Sequence, residues 1–348
     1  MAATYRSRFL GTMRDAERDM GRIFSELAAQ ASRQLRRFAD ADGTIPIDAT
    51  FEIQQAVGEL VTRVFLSRTA SGQREPFRVL GDGSVMPLSP FARVLFRHIE
   101  SAVRLPVEQH ASIVERRLPD DLLQSLRRST FAITSEQAGF RPNPWAQYDP
   151  PHLWVDPNGY RLSDRIWLNS GRTRRRLDMF LEERVAQGQG ALEMSRDLER
   201  FLQPGRKLAR TRAPYGVDAS FDAMRLARTE ITRAHAQAQE MAAEANPFAQ
   251  GLSVVLSISH PKPDICDEAA AASPFPIGEI PAQYQIPLHP HCLCTYRNEM
   301  IDDPGAVLDN LRDEIRRARP RISQLLGPLL SGEFVRRLLN GVREKVLA

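Results

Sequence analysis

All three cysteines of the chain, and three of its seven histidines, fall between His260 and Cys294. They form two clusters, HPKPDIC and HPHCLC, separated by a Pro-rich stretch, so a fold that uses them must close on itself there. In extended backbone alternate side chains share a face. Cys292 and Cys294 can therefore point into one pocket, Asp264 and Cys266 likewise, and a strand over 252–259 would deliver His260 to the same place. Prolines on both sides of His289 and after His260 restrict the local backbone. Three cysteines are an odd count, so a complete disulfide framework is excluded. Zinc takes four Cys, His or carboxylate ligands. The candidate set is Cys266, Cys292, Cys294 and His289, with His260 or His291 as alternative fourth ligands. The C-x-C spacing is shorter than the usual C-x2-4-C knuckle. Three outcomes stay open: a zinc site, an uncomplexed hydrogen-bonded core, or a disulfide involving Cys266.

The remainder reads as an ordinary folded chain. At 348 residues, 42% apolar and 26% charged, it is long enough for two domains and can bury cores without disulfides. No apolar run approaches the roughly 18 to 20 residues that span a bilayer, and the N-terminus lacks the continuous apolar stretch of a secretory signal. Folding in a cytoplasm and no membrane segment are the expectations. The net charge of +4 does not by itself impose nucleic-acid binding. Lys207, Lys262 and Lys345 are the only lysines, which leaves 47 − 3 = 44 arginines. Arginine favours bidentate contacts to phosphate and carboxylate, although a GC-rich coding genome gives the same bias.

Periodicity predicts a mainly α (α+β) protein. Leu10, Met13, Met20, Phe24, Leu27, Ala31, Leu35 and Phe38 form one stripe of a helix over 4–38. A second helix is expected over 51–69, with Phe51, Val57, Leu60, Val61, Val64 and Phe65 inward. Ser89 before Pro90 should cap a third, which Pro106 should disturb near Arg104. A shorter helix should follow Pro119. Five prolines between 141 and 160 mark a connector. Helices are expected over 162–187, 191–202 and 219–245, with Gly188 and Gly190 as stops and Asp218 or Ser220 as a cap. Strands are expected over 252–259 and 293–297, and helix over 305–347. The domain plan is thus 1–140 helical, 141–160 connector, 161–300 a module with the His/Cys clusters, and 301–348 a helical tail.

The runs HPKPDICDEAA and PLHPHCLC, with the Arg228, Thr229, Glu230 triplet on the preceding helix, resemble the phage Mu F-like head morphogenesis family of tailed bacteriophages. The resemblance covers about 161 to 297. One departure is that many members carry Trp in the strand before the first His, where this chain has Val254 to Ser259. The resemblance implies a minor capsid protein that acts non-enzymatically with the portal and with capsid or scaffold proteins. It would belong to a multi-protein assembly, be made in the host cytoplasm, and end in the phage head near packaged DNA. It also implies that Arg228, Thr229, Glu230, His260, Asp264, Cys266, His289, His291, Cys292 and Cys294 are the structural motif.

Two other readings compete on the residues. Glu230, His260 and Asp264 can make a general acid/base set, with a low-pKa cysteine as nucleophile, in an enzyme or toxin-like module. However, no Gly-rich phosphate cradle, G-x-S-x-G or H-E-x-x-H occurs. Arg172, Arg174, Arg175 and Arg176, with Trp167 nearby, and Arg316 and Arg317 near the C-terminus, can neutralise DNA phosphates, but a solvated helix face or a contact to acidic protein partners is the favoured reading. His98, His110, His152 and His235 are scattered and read as core or surface histidines.

Overall fold

The stripe over the first helix has one change of register. In the computed structural model helix α1 covers Ala2–Arg36. Its buried positions include Phe9, Met13, Ala16, Met20, Phe24, Leu27, Ala31 and Leu35, with Phe9 in place of the expected Leu10. The structure describes residues 2–81, 85–117, 155, 159–203, 219–244, 246, 248–257 and 263–301. The described elements are mostly helical with small antiparallel sheets, a mainly α architecture with some β. They sort into two units, drawn respectively from Phe9–Ser101 with Tyr148–Ile231, and from Met1–Arg8, Ala102–Gln147 and Thr232–Ala348. No helix among the described residues is long and apolar enough to cross a membrane.

In the first unit, α1 packs with α2 (Thr50–Phe65) and the start of α3 (Pro90–Arg117). Phe24, Phe65 and Phe91 form an aromatic run, with ring centroids 6.1 and 5.1 Å apart. Phe51 does not join it. It is 65% exposed, because it stands two residues before Ile53, on the face opposite the buried Ile53, Val57, Val61 and Val64. Ser89 caps α3 as expected, its Oγ accepting from the Ala92 N–H at 3.1 Å. Two short hairpins, β1 (Ser67–Arg68) with β2 (Arg74–Glu75) and β3 (Phe77–Val79) with β4 (Val85–Pro87), lie between α2 and α3.

Helix α4 (Leu162–Ala186) runs antiparallel to α2: Gln54 reaches the Asp178 carbonyl at 3.0 Å, and Arg174 lies over Gly58. It ends in a Schellman motif, with Gly188 at φ 68°, Gln189 N–H bonded to Arg184 O and Gly188 N–H to Val185 O. Helix α5 (Ala191–Leu202) follows within the expected bounds. Val155 bridges Arg161, and little else of the Pro-rich connector lies within the described residues. The helices expected after Pro119 and over 305–347, and Asp218, lie outside them.

The second unit corrects the reading of Pro106. Helix α3 continues through it to Arg117. Proline has no N–H to give to the carbonyl four residues earlier, which leaves Ala102 O open, and the His235 Nδ1–H fills it at 3.0 Å. The Tyr5 hydroxyl meets the other ring nitrogen, Nε2, at 3.3 Å. His235 lies on α6 (Ala219–Glu244), 1% exposed. The chain then turns into β5 (Ala249–Val255), earlier than the expected 252–259. Asn246 starts this turn by accepting the Phe248 N–H at 3.0 Å. The sheet order is β6-β5-β7, antiparallel throughout, with β6 at Phe275–Pro276 and β7 at Thr295–Met300. Gly251 is required at its position, since a Cβ there would lie 2.8 Å from Phe275 O.

Two buried histidines of this unit make a pH prediction. Burial lowers His110 to about 4, against a hydrogen bond to Asn298 that raises it, and burial lowers His235 to about 4 against the bond to Ala102. Above about pH 6.5 both rings are neutral in the folded and unfolded chains. Between about pH 6.5 and 4 the unfolded chain binds protons that the folded chain refuses, so stability falls as pH falls. The effect is up to about 3 kcal/mol per ring. Glu240 opposes this: burial first, then Glu244, raises it to about 7 against a hydrogen bond to Tyr296. Its folded form keeps a proton that the unfolded chain loses, which erodes stability as pH rises from about 4.5 to 7. With two rings against one carboxyl, urea unfolding should show stability climbing from pH 4.5 to 6.5. His110→Gln should reduce the coupled uptake by about one proton. A flat profile would contradict the assignment.

Candidate metal centre

Cys266 is placed by a helix cap. Asp264 is the N-cap of α7 (Ile265–Ala272): its Oδ1 accepts the Cys266 N–H at 2.7 Å, and Asp267 Oδ2 accepts the Asp264 N–H at 2.8 Å. This reciprocal box fixes the first turn of the helix and turns the Cys266 side chain inward, 0% exposed. The expected extended backbone over Asp264 and Cys266 is thus replaced by a helix start, for which the D-x-x-D spacing in PDICDEAA is the available signal.

The second cluster approaches as a tight turn. Cys292 N–H bonds to His289 O at 3.1 Å, with Pro290 second in the turn and His291 third at φ 67°. That is the pattern of a type II turn, in which Gly is favoured at the third position. The turn sends Cys292 and Cys294 inward, each 1% exposed. Thr232 Oγ1 on α6 donates to Cys292 O at 3.0 Å, and Gln239 on the same helix donates to Tyr296 O, tying the loop and β7 to α6. The sulfurs sit in an apolar cluster with Ala236, Leu252, Val254, Ala269, Phe275 and Tyr296.

Cys266 Sγ and Cys292 Sγ are 3.9 Å apart, and one ligand atom each from Cys266, His289 and Cys292 all lie within 4.8 Å of one another. These three residues can hold a metal ion. Two sulfurs about 2.3 Å from a tetrahedral zinc would be about 3.8 Å apart. All three cysteines are free, so a disulfide involving Cys266 is not formed. Cys294, expected as a further ligand, is buried in the same apolar cluster but is not part of that three-residue donor group. Backbone N–H groups of Cys294 and Leu288 reach the Cys292 sulfur, and that of Ser257 reaches Cys294. Cys292 is the thiol driven down, because the Cys266 and Cys294 thiols donate to its sulfur. Cys266 is driven up by the same contacts and by burial. Cys294 is drawn down by Cys266 but raised more by Cys292 and burial, to about 11.

His289 supplies the nitrogen. Its Nδ1–H donates to Pro290 O at 2.8 Å, which leaves Nε2 with the lone pair. That atom is buried, has no hydrogen-bond partner among the described residues, and faces Asp264 Oδ2 at 3.5 Å. It is the ligand atom that this residue offers beside the Cys266 and Cys292 sulfurs. The donor set thus fits a soft divalent metal on chemistry as well as spacing.

The other motif residues lie elsewhere. Arg228 pairs with Glu17, Thr229 Oγ1 bonds back to Arg225 O at 2.7 Å, and Glu230, 2% exposed, takes the Arg165 guanidinium at 2.8 Å. Glu230 belongs to one unit and Asp264 to the other, and His260 lies outside the described residues, as do Arg316 and Arg317. Arg176 is taken by Asp222 at 2.8 Å and Arg174 stands 3.9 Å from Asp178, while Arg172 and Arg175 are exposed with no ion pair among the described residues. The reading of the residues missed Thr232, Gln239 and Asn246, since only their long-range partners distinguish them from any polar helix residue.

His291 separates from His289 in a test. Replacing His291 with Gly should keep the bound metal and change stability by no more than about 1 kcal/mol, because Gly takes the left-handed conformation freely. His289→Ala should lower metal affinity sharply. Metal per chain on the two variants decides; loss with the Gly variant would make His291 a ligand. Compared with models of known families, with curated proteins and with solved structures, the chain matches none.

Proposed function

We propose that this chain is a head-assembly protein of a tailed bacteriophage, similar to the Mu F-like family, whose β-containing module is closed by zinc on Cys266, Cys292, Cys294 and His289. The observation that carries it is the meeting of the two clusters behind the resemblance: Cys266 from HPKPDIC and His289 and Cys292 from HPHCLC bring their ligand atoms within 4.8 Å of one another. With Cys294 as the fourth donor, three thiols and one imidazole would complete a tetrahedral shell, the pattern of a structural zinc site and not of one with a position open for substrate. Zinc would supply cross-linking of α7 to the β7 lead-in. This chain's own residues do the positioning: Asp264 sets the Cys266 turn, Pro290 O fixes the His289 tautomer, and Thr232 holds the loop.

The Arg-Thr-Glu triplet supports an assembly role over a chemical one, because its charges are spent on Arg165 and Glu17. In this reading the partners are the portal and the capsid or scaffold proteins, with packaged DNA nearby, and the protein passes from the host cytoplasm into the head. Purified heads test it. A few copies per particle, and co-sedimentation of the purified chain with portal rings, are expected. Hundreds of copies, or none in heads and no portal association, would overturn it.

A further inference from the structure

Helix α4 carries an uninterrupted exposed seam. Leu168, Arg172, Arg175, Met179, Glu182 and Ala186 are all exposed and follow spacings of 4, 3, 4, 3 and 4, the repeat of a coiled-coil interface. Met179 is 69% and Leu168 45% exposed. The other charged side chains of the helix are occupied. Arg165, Arg174, Arg176 and Arg184 have acidic partners, Asp164 closes the N-terminal capping box, and Glu183 accepts from Gln187. Arg172, Arg175 and Glu182 have no ion pair among the described residues.

We infer that this seam is a docking surface for a second copy of the chain, the two α4 helices lying antiparallel about a two-fold axis near Leu177. In an antiparallel seam, positions related by the axis face each other. Residue numbers of facing positions then share one sum, and here a sum of 354 aligns every seam residue with another. Arg172 faces Glu182 of the second copy, Arg175 faces Met179, and Leu168 faces Ala186. A two-fold axis makes each contact occur twice. The two Arg–Glu pairs are self-complementary, whereas a parallel pairing in register would set Arg172, Arg175 and Glu182 each against its own copy. The arginine stems cover Met179 while their head groups stay wet. Gly171, beside the seam, has nothing within 4 Å of a Cβ built there, so two helices can approach closely on that side.

Exposed ion pairs, two Leu168–Ala186 layers and two Arg175–Met179 layers give a weak, salt-sensitive dimer. Sedimentation velocity on the full chain over a concentration series tests it. The wild type should shift from monomer to dimer by about 100 µM at low salt, and the dimer should weaken at about 0.5 M salt. Arg172→Glu should raise the dissociation constant about tenfold or more, by setting Glu against Glu at both symmetric positions. The swapped double variant Arg172→Glu with Glu182→Arg should return to within about threefold of wild type. Far-UV circular dichroism confirms that each variant is folded. A monomeric wild type, a dimer indifferent to Arg172→Glu, or a double variant no better than the single would overturn the seam. So would duplex DNA bound through Arg172 and Arg175 by a chain that never dimerises.

Discussion

Replacing Cys292 with Ser is expected to strip the bound metal and loosen the whole module from β5 to β7. Cys292 is central to the cluster: its sulfur lies 3.9 Å from that of Cys266 and shares the donor group with His289. Serine keeps the shape but offers a hard, weakly acidic oxygen that zinc and other soft metals bind poorly. Binding energy at a structural zinc site is folding energy, of order 10 kcal/mol in small zinc domains. Its loss should exceed what a small cluster of Leu252, Val254, Phe275 and Tyr296 retains alone. Metal affinity should drop at least about a hundredfold. Amides of Val254 and Tyr296, paired across β5 and β7, should exchange far faster. A strong chelator on the wild type should have the same effect, reversed by adding zinc back. A Cys292→Ser chain with unchanged exchange and unchanged thermal stability would mean that the thiols merely pack.

The second large effect is expected at Glu230. Its carboxylate is buried against Arg165, which is itself only 10% exposed. Glu230→Ala removes the carboxylate set against this largely buried guanidinium, a loss of about 3 to 5 kcal/mol. Arg165→Met combined with Glu230→Leu removes both charges and fills similar volume, so it should recover most of that loss. Chemical denaturation of the two single variants and the double measures the coupling. If Glu230→Ala were fully stable while phage assembly failed, the triplet would touch a partner and the ion pair would be incidental.

Helices were legible in the sequence wherever an apolar stripe runs unbroken, as in α1 and α5, because burial of one face decides them. Pro106 misled because the carbonyl it abandons is repaired by His235, 129 residues further along, which no local rule sees. The start of β5 depended on the Asn246 turn, and Phe51 on which face α2 presents. At the metal centre the clustering of the cysteines was readable from spacing, but the helix that carries Cys266 was not, since Asp264 and Cys266 read as extended chain. The choice between His289 and His291 was not readable either, since it rests on a turn whose third residue takes a left-handed conformation. Among the arginines of α4, sequence could not separate Arg174 and Arg176, which have acidic neighbours, from Arg172 and Arg175, which face solvent. Only helix docking distinguishes them.

The most direct test of the metal-closed module is the zinc content and ligand shell of the full chain, purified under reducing conditions and saturated with zinc. Native mass spectrometry should find one zinc per chain, absent from Cys292→Ser, and X-ray absorption should give three sulfurs near 2.3 Å and one nitrogen near 2.0 Å, on the order of known structural sites. A wild-type chain that stays folded and takes up no zinc would contradict it.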